Sequence, residues 1–332
     1  MNVLTLSGVR LDGVAACLPS RCVDNLAACT RLHGDAAKAQ SVVKATGILT
    51  RRVAEPGVSS LDLCMQAAER LLAALPNREE ITRRIGAVVF VTFTPARAMP
   101  CNACQVQRRL KLANEVMAFD VGLACSGYPY GLYLAGTLAR QIGRPVLLLD
   151  GDVQTPFVAS DDPATVPVLA DAGTATLVSP DESAPAWRFS FLSRGENGDA
   201  LTLPVGGKLS MDGFGVFKFV ATEVTAFLKS FLASAQTAPA LFDAFVPHQA
   251  NVYMIRQLAR QLGFAPDRLW VSGDTLGNSA SASIPVTLAA CGNRDGCSTD
   301  RRILLAGFGG GLSASAADLI LPAECSLLRC EA

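Results

Sequence analysis

The chain has 332 residues, half of them apolar and 17% charged, enough for two domains and a large buried core. Its 29 basic residues balance 29 acidic ones, so no long-range field draws it to nucleic acid or an anionic membrane, and an acidic partner must be met by a local patch. The opening MNVLTLSGVRLDGVAACLPS lacks the charged start and long apolar core of a secretory signal, and no apolar run reaches the roughly 18 residues of a membrane span.

In chain order, SLDLCMQAAERLLAAL (60–75) carries apolar positions at helical spacing, and IGAVVFVTF (85–93) reads as a buried strand. VMAFDV (116–121) is a strand, SGYPYGLYLAGTLARQI (126–142) a helix, and RPVLLLDGD (144–152) another buried strand. The small-residue run DAGTATLVS (171–179) is a strand, and SPDESAPAW (179–187) is the linker. Beyond it come a helix FKFVATEVTAFLKSFLAS (217–234), a strand LFDAFVP (241–247), and a helix NVYMIRQLARQLG (251–263) closed by its glycine. RRILLAGFG (301–309) and FGGGLSASAADLIL (308–321) are the last strands, and the tail after Pro322 is expected to be peripheral. Continuous apolar strands are covered on both faces. The order strand–helix–strand therefore predicts an α/β chain in two halves of similar topology, residues 1–180 and 181–332.

Eleven cysteines, at 17, 22, 29, 64, 101, 104, 125, 291, 297, 325 and 330, are odd in number and unevenly spread. In a chain this long they read as free thiols in a reducing cytoplasm. Cys125 stands between a strand and a helix, where the helix dipole and free N–H groups favour thiolate. On that placement alone it reads equally as a nucleophile or as a small buried hydrophobe. Of the two histidines, His33 falls in a polar segment and reads as a solvated loop residue. His248, in VPHQAN, follows a buried strand directly, where α/β folds place ligands; a core histidine is the other reading. Asn278, in TLGNSASASIP (275–285), is an amide able to meet an oxyanion, or an ordinary turn residue. GFGGGLSAS (307–315) matches no phosphate-loop pattern. Its glycines instead allow the backbone close to a reacting centre. Cys101 and Cys104 form a C-x-x-C with no second pair and no adjacent histidine, which argues against zinc.

Cys125 in ACSGY, His248 in VPHQAN, Asn278 in GNSASASIP and the run FGGGLSASAA occur in the order and spacing of the β-ketoacyl-ACP synthase III family. ATGILTRRVA (45–54), CQVQRRLKL (104–112), FDVGLACSG (119–127) and MDGFGVFKF (211–219) also resemble family blocks. The resemblance spans nearly the whole chain and implies the thiolase-like duplicated fold of five αβαβα layers, usually a homodimer. It implies that Cys125 carries the acyl group, and that the N–H groups of Cys125 and Gly310 form an oxyanion hole. His248 and Asn278 would stabilise the enolate left when a malonyl thioester loses CO₂. Phe308 and Phe214 would contact substrate, and Met99 would cross the dimer interface to floor the partner's acyl pocket. The resemblance calls for no metal and no bound organic cofactor.

The departures from the family concern the acyl donor. The Trp and Arg that clamp coenzyme A there correspond to Ser41 and Ala45, a second arginine to Pro163, and a pantetheine-contacting Asn to Phe214. These changes predict that the acyl donor is not held by the usual adenine clamp: the acyl group arrives on an acyl carrier protein or from another enzyme, with acyl-CoA thioesters kept as a partner class. Arg256 and Arg260, four apart on the helix after VPHQAN, present one basic face to an acidic carrier helix. The competing activities are acyl transfer to a hydroxyl or amine, and a place as one subunit of a heteromeric condensing enzyme.

Overall fold

The computed structural model describes residues 1–292 and 299–332. Cys297 lies outside the described residues. The chain opens with a short strand, β1 (Leu4–Leu6), and a long one, β2 (Val9–Leu18). A ribbon of β3 (Cys22–Asp24) and β4 (Thr50–Arg52) brackets α1 (Asn25–His33) and α2 (Ala36–Thr46). There follow α3 (Ser60–Ala74), α4 (Arg78–Arg84), β5 (Ala87–Val91), α5 (Asn102–Arg109), β6 (Met117–Val121), α6 (Gly127–Ile142), β7 (Val146–Asp152) and β8 (Ala172–Pro180). The rest comprises β9 (Trp187–Ser193), a small hairpin of β10 (Leu201–Thr202) and β11 (Ser210–Met211), α7 (Gly213–Phe219), α8 (Thr225–Ser234) and β12 (Ala244–Pro247). It closes with α9 (Val252–Leu262), α10 (Gly273–Leu276), α11 (Ser283–Cys291), β13 (Arg301–Gly309), β14 (Ser313–Leu321) and β15 (Ser326–Glu331).

Two mixed sheets organise these elements. The first has the order β15–β2–β8–β7–β5–β6 and the second β1–β9–β14–β13–β12. Helix α6 packs on strands of both sheets, and α11 touches the first sheet and β12 of the second. On the far side of the first sheet lie α3 and α5, and on the far side of the second lie α8 and α9. This is the five-layered αβαβα arrangement of the thiolase fold. Small residues let α6 sink between the sheets. A Cβ on Gly127 would stand 2.5 Å from Val91 Cγ1, on Gly131 2.8 Å from Leu148 Cδ1, and on Gly136 2.6 Å from Leu6 Cδ2.

Four expectations are corrected. The tail after Pro322 is not peripheral: β15 pairs parallel with β2 along Ser326–Glu331 and buries Leu327 in the core. At the other end, β1 pairs antiparallel with β9, so each terminus supplies an outer strand to a sheet built mostly from the distant part of the chain. The run 308–321 is not one strand, because Gly310 and Gly311 reverse the chain between β13 and β14. The helix expected at 217–234 starts earlier, at Gly213, where Asp212 caps it by accepting from Phe214 and Gly215 N–H. It also passes through a π-helical turn at Val220–Val224. His33, expected in a loop, ends α1 and is followed by the left-handed cap Gly34.

The paired tail makes a stability prediction. Leu327→Ala is expected to destabilise the fold by about 2–5 kcal/mol, as for other buried leucines, while exposed Arg329→Ala changes it by under about 0.5 kcal/mol. Chemical denaturation of the two variants checks this. Equal small effects would return the tail to the periphery.

Candidate active site

The strand β6 delivers the chain to Gly122–Cys125, and α6 begins two residues later. Ser126, at its N-cap, does not cap the helix with its side chain; its Oγ pairs with Ser313 Oγ at 2.7 Å, joining the start of α6 to the start of β14. Across from Cys125 runs the end of β13. A Cβ on Gly309 would sit 2.7 Å from Cys125 Cβ and 3.2 Å from its Sγ, and on Gly307 2.8 Å from Ser126 Cα. Gly309 also has φ 152°, which other residues rarely adopt. The glycine run thus lets one backbone lie against the cysteine, and the N–H groups of Cys125 and Gly310 both reach its sulfur.

His248 follows β12 directly and is 2% exposed. Its Nδ1 lies 2.7 Å from Ser283 Oγ, at the start of α11. Ser283 Oγ accepts from the Gln249 N–H at 3.3 Å, which leaves its own proton for Nδ1. Phe308 stands edge-on to the imidazole, ring centroids 5.4 Å apart. Asn278 is held on both sides. Its N–H donates to Val168 C=O and its C=O accepts from Ala170 N–H and Gln154 Nε2. The Ala280 N–H donates to Oδ1 at 3.0 Å, which fixes the amide orientation and presents Nδ2, whose contact with Ala250 C=O is long at 3.5 Å.

Cys125, His248, Asn278, Phe308 and Gly310 all line one cavity of ≈ 610 Å³. Three side chains widely separated in sequence therefore meet in one place. The remaining expected residues sit elsewhere. Met99 is 85% exposed and Phe214 76% exposed, and neither lines the cavity, although Gly213 beside Phe214 does. Arg256 and Arg260 are exposed on α9, whose first turn meets the cavity through Asn251 and Met254. Cys101 and Cys104 place their sulfurs 3.4 Å apart at the start of α5, and no cluster of three metal-ligating side chains occurs among the described residues.

Sequence reasoning missed several walls of the site. The hairpin β10–β11 and its loop contribute Leu201, Leu203, Leu209 and Met211. Gln154, which holds the Asn278 backbone, carried no motif, and Ser283, which orients His248, stood inside the GNSASASIP run with no role assigned. Their only signal was position: Gln154 follows β7 closely, and Ser283 lies five residues beyond Asn278.

Electrostatics oppose one expectation. Cys125 keeps some surface open to the cavity, yet burial, with the Asp152 carboxylate second, pushes its thiol up to about 12. The two N–H groups act the other way but are outweighed. The resting residue is a thiol, not the thiolate that a helix start favours. Burial likewise pushes His248 down to about 3, against a smaller pull from the Ala280 carbonyl on its charged form, so the imidazole is neutral at physiological pH.

Comparison with known proteins gives one consistent result. Residues 119–196 match the family model described as 3-oxoacyl-[acyl-carrier-protein (ACP)] synthase III, and residues 232–319 match the model of its C-terminal part. A beta-ketoacyl-[acyl-carrier-protein] synthase III of Rhodopirellula baltica is 31% identical, over 93% of this chain and 97% of that protein. A synthase III of Streptomyces coelicolor is 32% identical, over 94% and 97%. The crystal structure of a 3-oxoacyl-(acyl-carrier protein) synthase from Burkholderia xenovorans superposes with a TM-score of 0.93 at 31% identity, covering 100% of this chain and 99% of that one.

The raised thiol makes a pH prediction. Below its pKa the thiolate fraction grows about tenfold per pH unit. Alkylation of Cys125 by iodoacetamide, read by mass spectrometry, is therefore expected to accelerate without a plateau from about pH 7 to 10. A plateau below about pH 8 would mean that the helix start and N–H groups outweigh burial after all.

Proposed function

The chain belongs to the 3-oxoacyl-[acyl-carrier-protein] synthase III family of condensing acyltransferases, and from that premise we propose how its residues divide the reaction. Cys125 takes an acyl group from a thioester, and His248 and Asn278 support its condensation with a malonyl-type thioester. The observation that carries this reading is the convergence of the three side chains on one cavity. In the first step the Cys125 sulfur attacks the acyl carbonyl, its proton leaves with the departing thiol, and the tetrahedral oxyanion is met by the N–H groups of Cys125 and Gly310. In the second, the bond to the malonyl carboxylate breaks, CO₂ departs, and its electron pair becomes an enolate. His248 Nε2–H and Asn278 Nδ2–H donate to the enolate oxygen. The enolate carbon then attacks the acyl-cysteine, the sulfur leaves and regains a proton, and a β-ketoacyl thioester results.

The same geometry weighs against simple acyl transfer with His248 as general base. An imidazole pushed down to about 3 is a poor proton acceptor at neutral pH but a good neutral donor once Ser283 supplies a proton to Nδ1. Release of CO₂ from a malonyl thioester separates the two activities. Removing either donor, by His248→Ala or Asn278→Ala, is expected to cut CO₂ release and condensation by about 10²–10³-fold. Acylation of Cys125, followed as added mass, should persist in both variants. Loss of acylation with unchanged CO₂ release would reverse the assignment.

The acyl donor is proposed to arrive on a carrier protein rather than as free coenzyme A thioester. In support, Ser41 and Ala45 of α2 supply no aromatic or guanidinium face for an adenine, and Pro163 lines the cavity where a cation would be needed. A stacked base contributes about 1–3 kcal/mol. The exposed pair Arg256 and Arg260, on the helix that leaves the cavity rim, would meet the carrier's acidic face. A homodimer in which exposed Met99 reaches the partner's cavity completes the proposal. Reversing both arginines to Glu is expected to lower kcat/KM for carrier-bound donors by about tenfold or more, while rates with short pantetheine thioesters stay constant. Equal loss with both donors would place the arginines in the fold rather than at a docking face.

A further inference from the structure

A second hollow of ≈ 700 Å³ opens between α1, the β3–β4 ribbon and the segment 155–169. Its lining includes three arginines, Arg21, Arg31 and Arg51, and one carboxylate, Asp161. Arg51 is 8% exposed. Its Nε donates to Asn25 Oδ1 at 2.9 Å and its Nη1 to the Leu169 carbonyl at 3.2 Å. Among the described residues its Nη2 makes no hydrogen bond, and none of the three guanidiniums or Asp161 belongs to an ion pair.

Asp171 attracts Arg51 from behind, but its two oxygens already accept from the N–H groups of Ala54, Gln154 and Thr155 and from the Thr155 hydroxyl. Burial holds the Arg51 guanidinium below the usual arginine range, against the pull of Asp171, and nearby Arg21 adds a smaller repulsion. Solvation by water explains Arg21 and Arg31, which are exposed. Arg51 is mostly buried and already holds Asn25 and Leu169, and its Nη2, not itself a fully buried atom, is left for what occupies the hollow.

We infer that this hollow binds a small phosphate-bearing ligand, taken by Arg21, Arg31 and the free Nη2 of Arg51. Asp161 on the lining and Asp171 behind Arg51 offset part of the three positive charges and leave the hollow net cationic, which suits an anionic group. Guanidinium forks suit phosphate oxygens bidentately. The hollow is far larger than a bare phosphate, and Val23, Leu32, Val53 and Val166 offer an apolar wall to an organic body. Leu169 lines both this hollow and the Cys125 cavity, and Thr165 and Val166 here are chain neighbours of Ala164 and Val168 there. A bound ligand would therefore brace one wall of that cavity. The inference is independent of the reaction assigned to Cys125.

Calorimetric titration of the full chain with phenyl phosphate, in phosphate-free buffer, tests it. Saturable binding is expected, weakened by at least about tenfold in the double variant Arg21→Gln/Arg31→Gln. Both positions are exposed, so the melting temperature without ligand should stay that of the parent. Arg51→Lys, which keeps the charge but loses the fork, should weaken binding too. The idea fails if phenyl phosphate gives no saturable heat, or if the double variant binds as the parent does. It fails equally if benzoate binds as tightly as phenyl phosphate, since the hollow would then not be selecting phosphate.

Discussion

A single buried carboxylate ties the parts of the site together. Asp152, at the end of β7, accepts from the Thr92 and Thr94 hydroxyls and from the N–H groups of Phe93 and Thr94. Its other oxygen accepts from the N–H and hydroxyl of Ser281, at 3.2 and 2.6 Å. Ser281 lies between Asn278, which faces the cavity, and Ser283, which holds His248. One side chain thus pins the segment carrying two polar groups of the site to the strand ends of the first sheet. Burial pushes its pKa up and these hydrogen bonds pull it down; the net value of about 6 leaves it charged at neutral pH. The same charge helps keep the neighbouring Cys125 protonated. Orientation of the site and suppression of its thiolate come from one residue.

The residues that meet at the cavity were legible because each sits where a strand or helix ends. Cys125 before α6, His248 after β12 and the glycines closing β13 are marked by the switch from apolar run to small residues. Helices α3, α6, α8 and α9 were legible from their apolar period, and α9 ended at the expected Gly263, whereas α1, α2, α4 and α5 were not read. What could not be read depends on distance along the chain. Nothing local in LTL at 4–6 or SLLRCE at 326–331 says which sheet each joins. Edge strands are chosen by partners far away in sequence. The hairpin at 201–211 and Asp152 were missed for a related reason: a two-residue strand has no period, and a buried aspartate in an apolar strand looks like an interruption until its six donors are in view.

The thiol at Cys125 shows where a local rule fails. Placement at a helix start does favour the anion, and the two N–H groups do reach the sulfur. Yet the helix begins between two sheets, and the desolvation that comes with that position is the larger effect. A reader of sequence sees the helix end but not the layers that bury it. The physical consequence is a site at rest in neutral form, a protonated thiol and a neutral imidazole on one cavity, both desolvated. Such a site resists adventitious alkylation.

That neutrality also bears on the proposed second step. A malonyl carboxylate entering a cavity walled by Leu201, Leu203, Leu209 and Phe308 gives up hydration and meets no described cation on its lining. Its charge is concentrated on two oxygens and is poorly accommodated in apolar surroundings. Departure as CO₂ removes the charge from that end and moves it to the enolate oxygen, where the Asn278 amide is already oriented by Ala280 and the His248 ring by Ser283. Donors fixed before the charge develops cost no reorganisation when it does. An arginine or lysine in the cavity would hold the carboxylate and oppose its loss. Walls that do not solvate the reactant anion, with neutral donors placed for the product anion, push the equilibrium along the same direction as the chemistry.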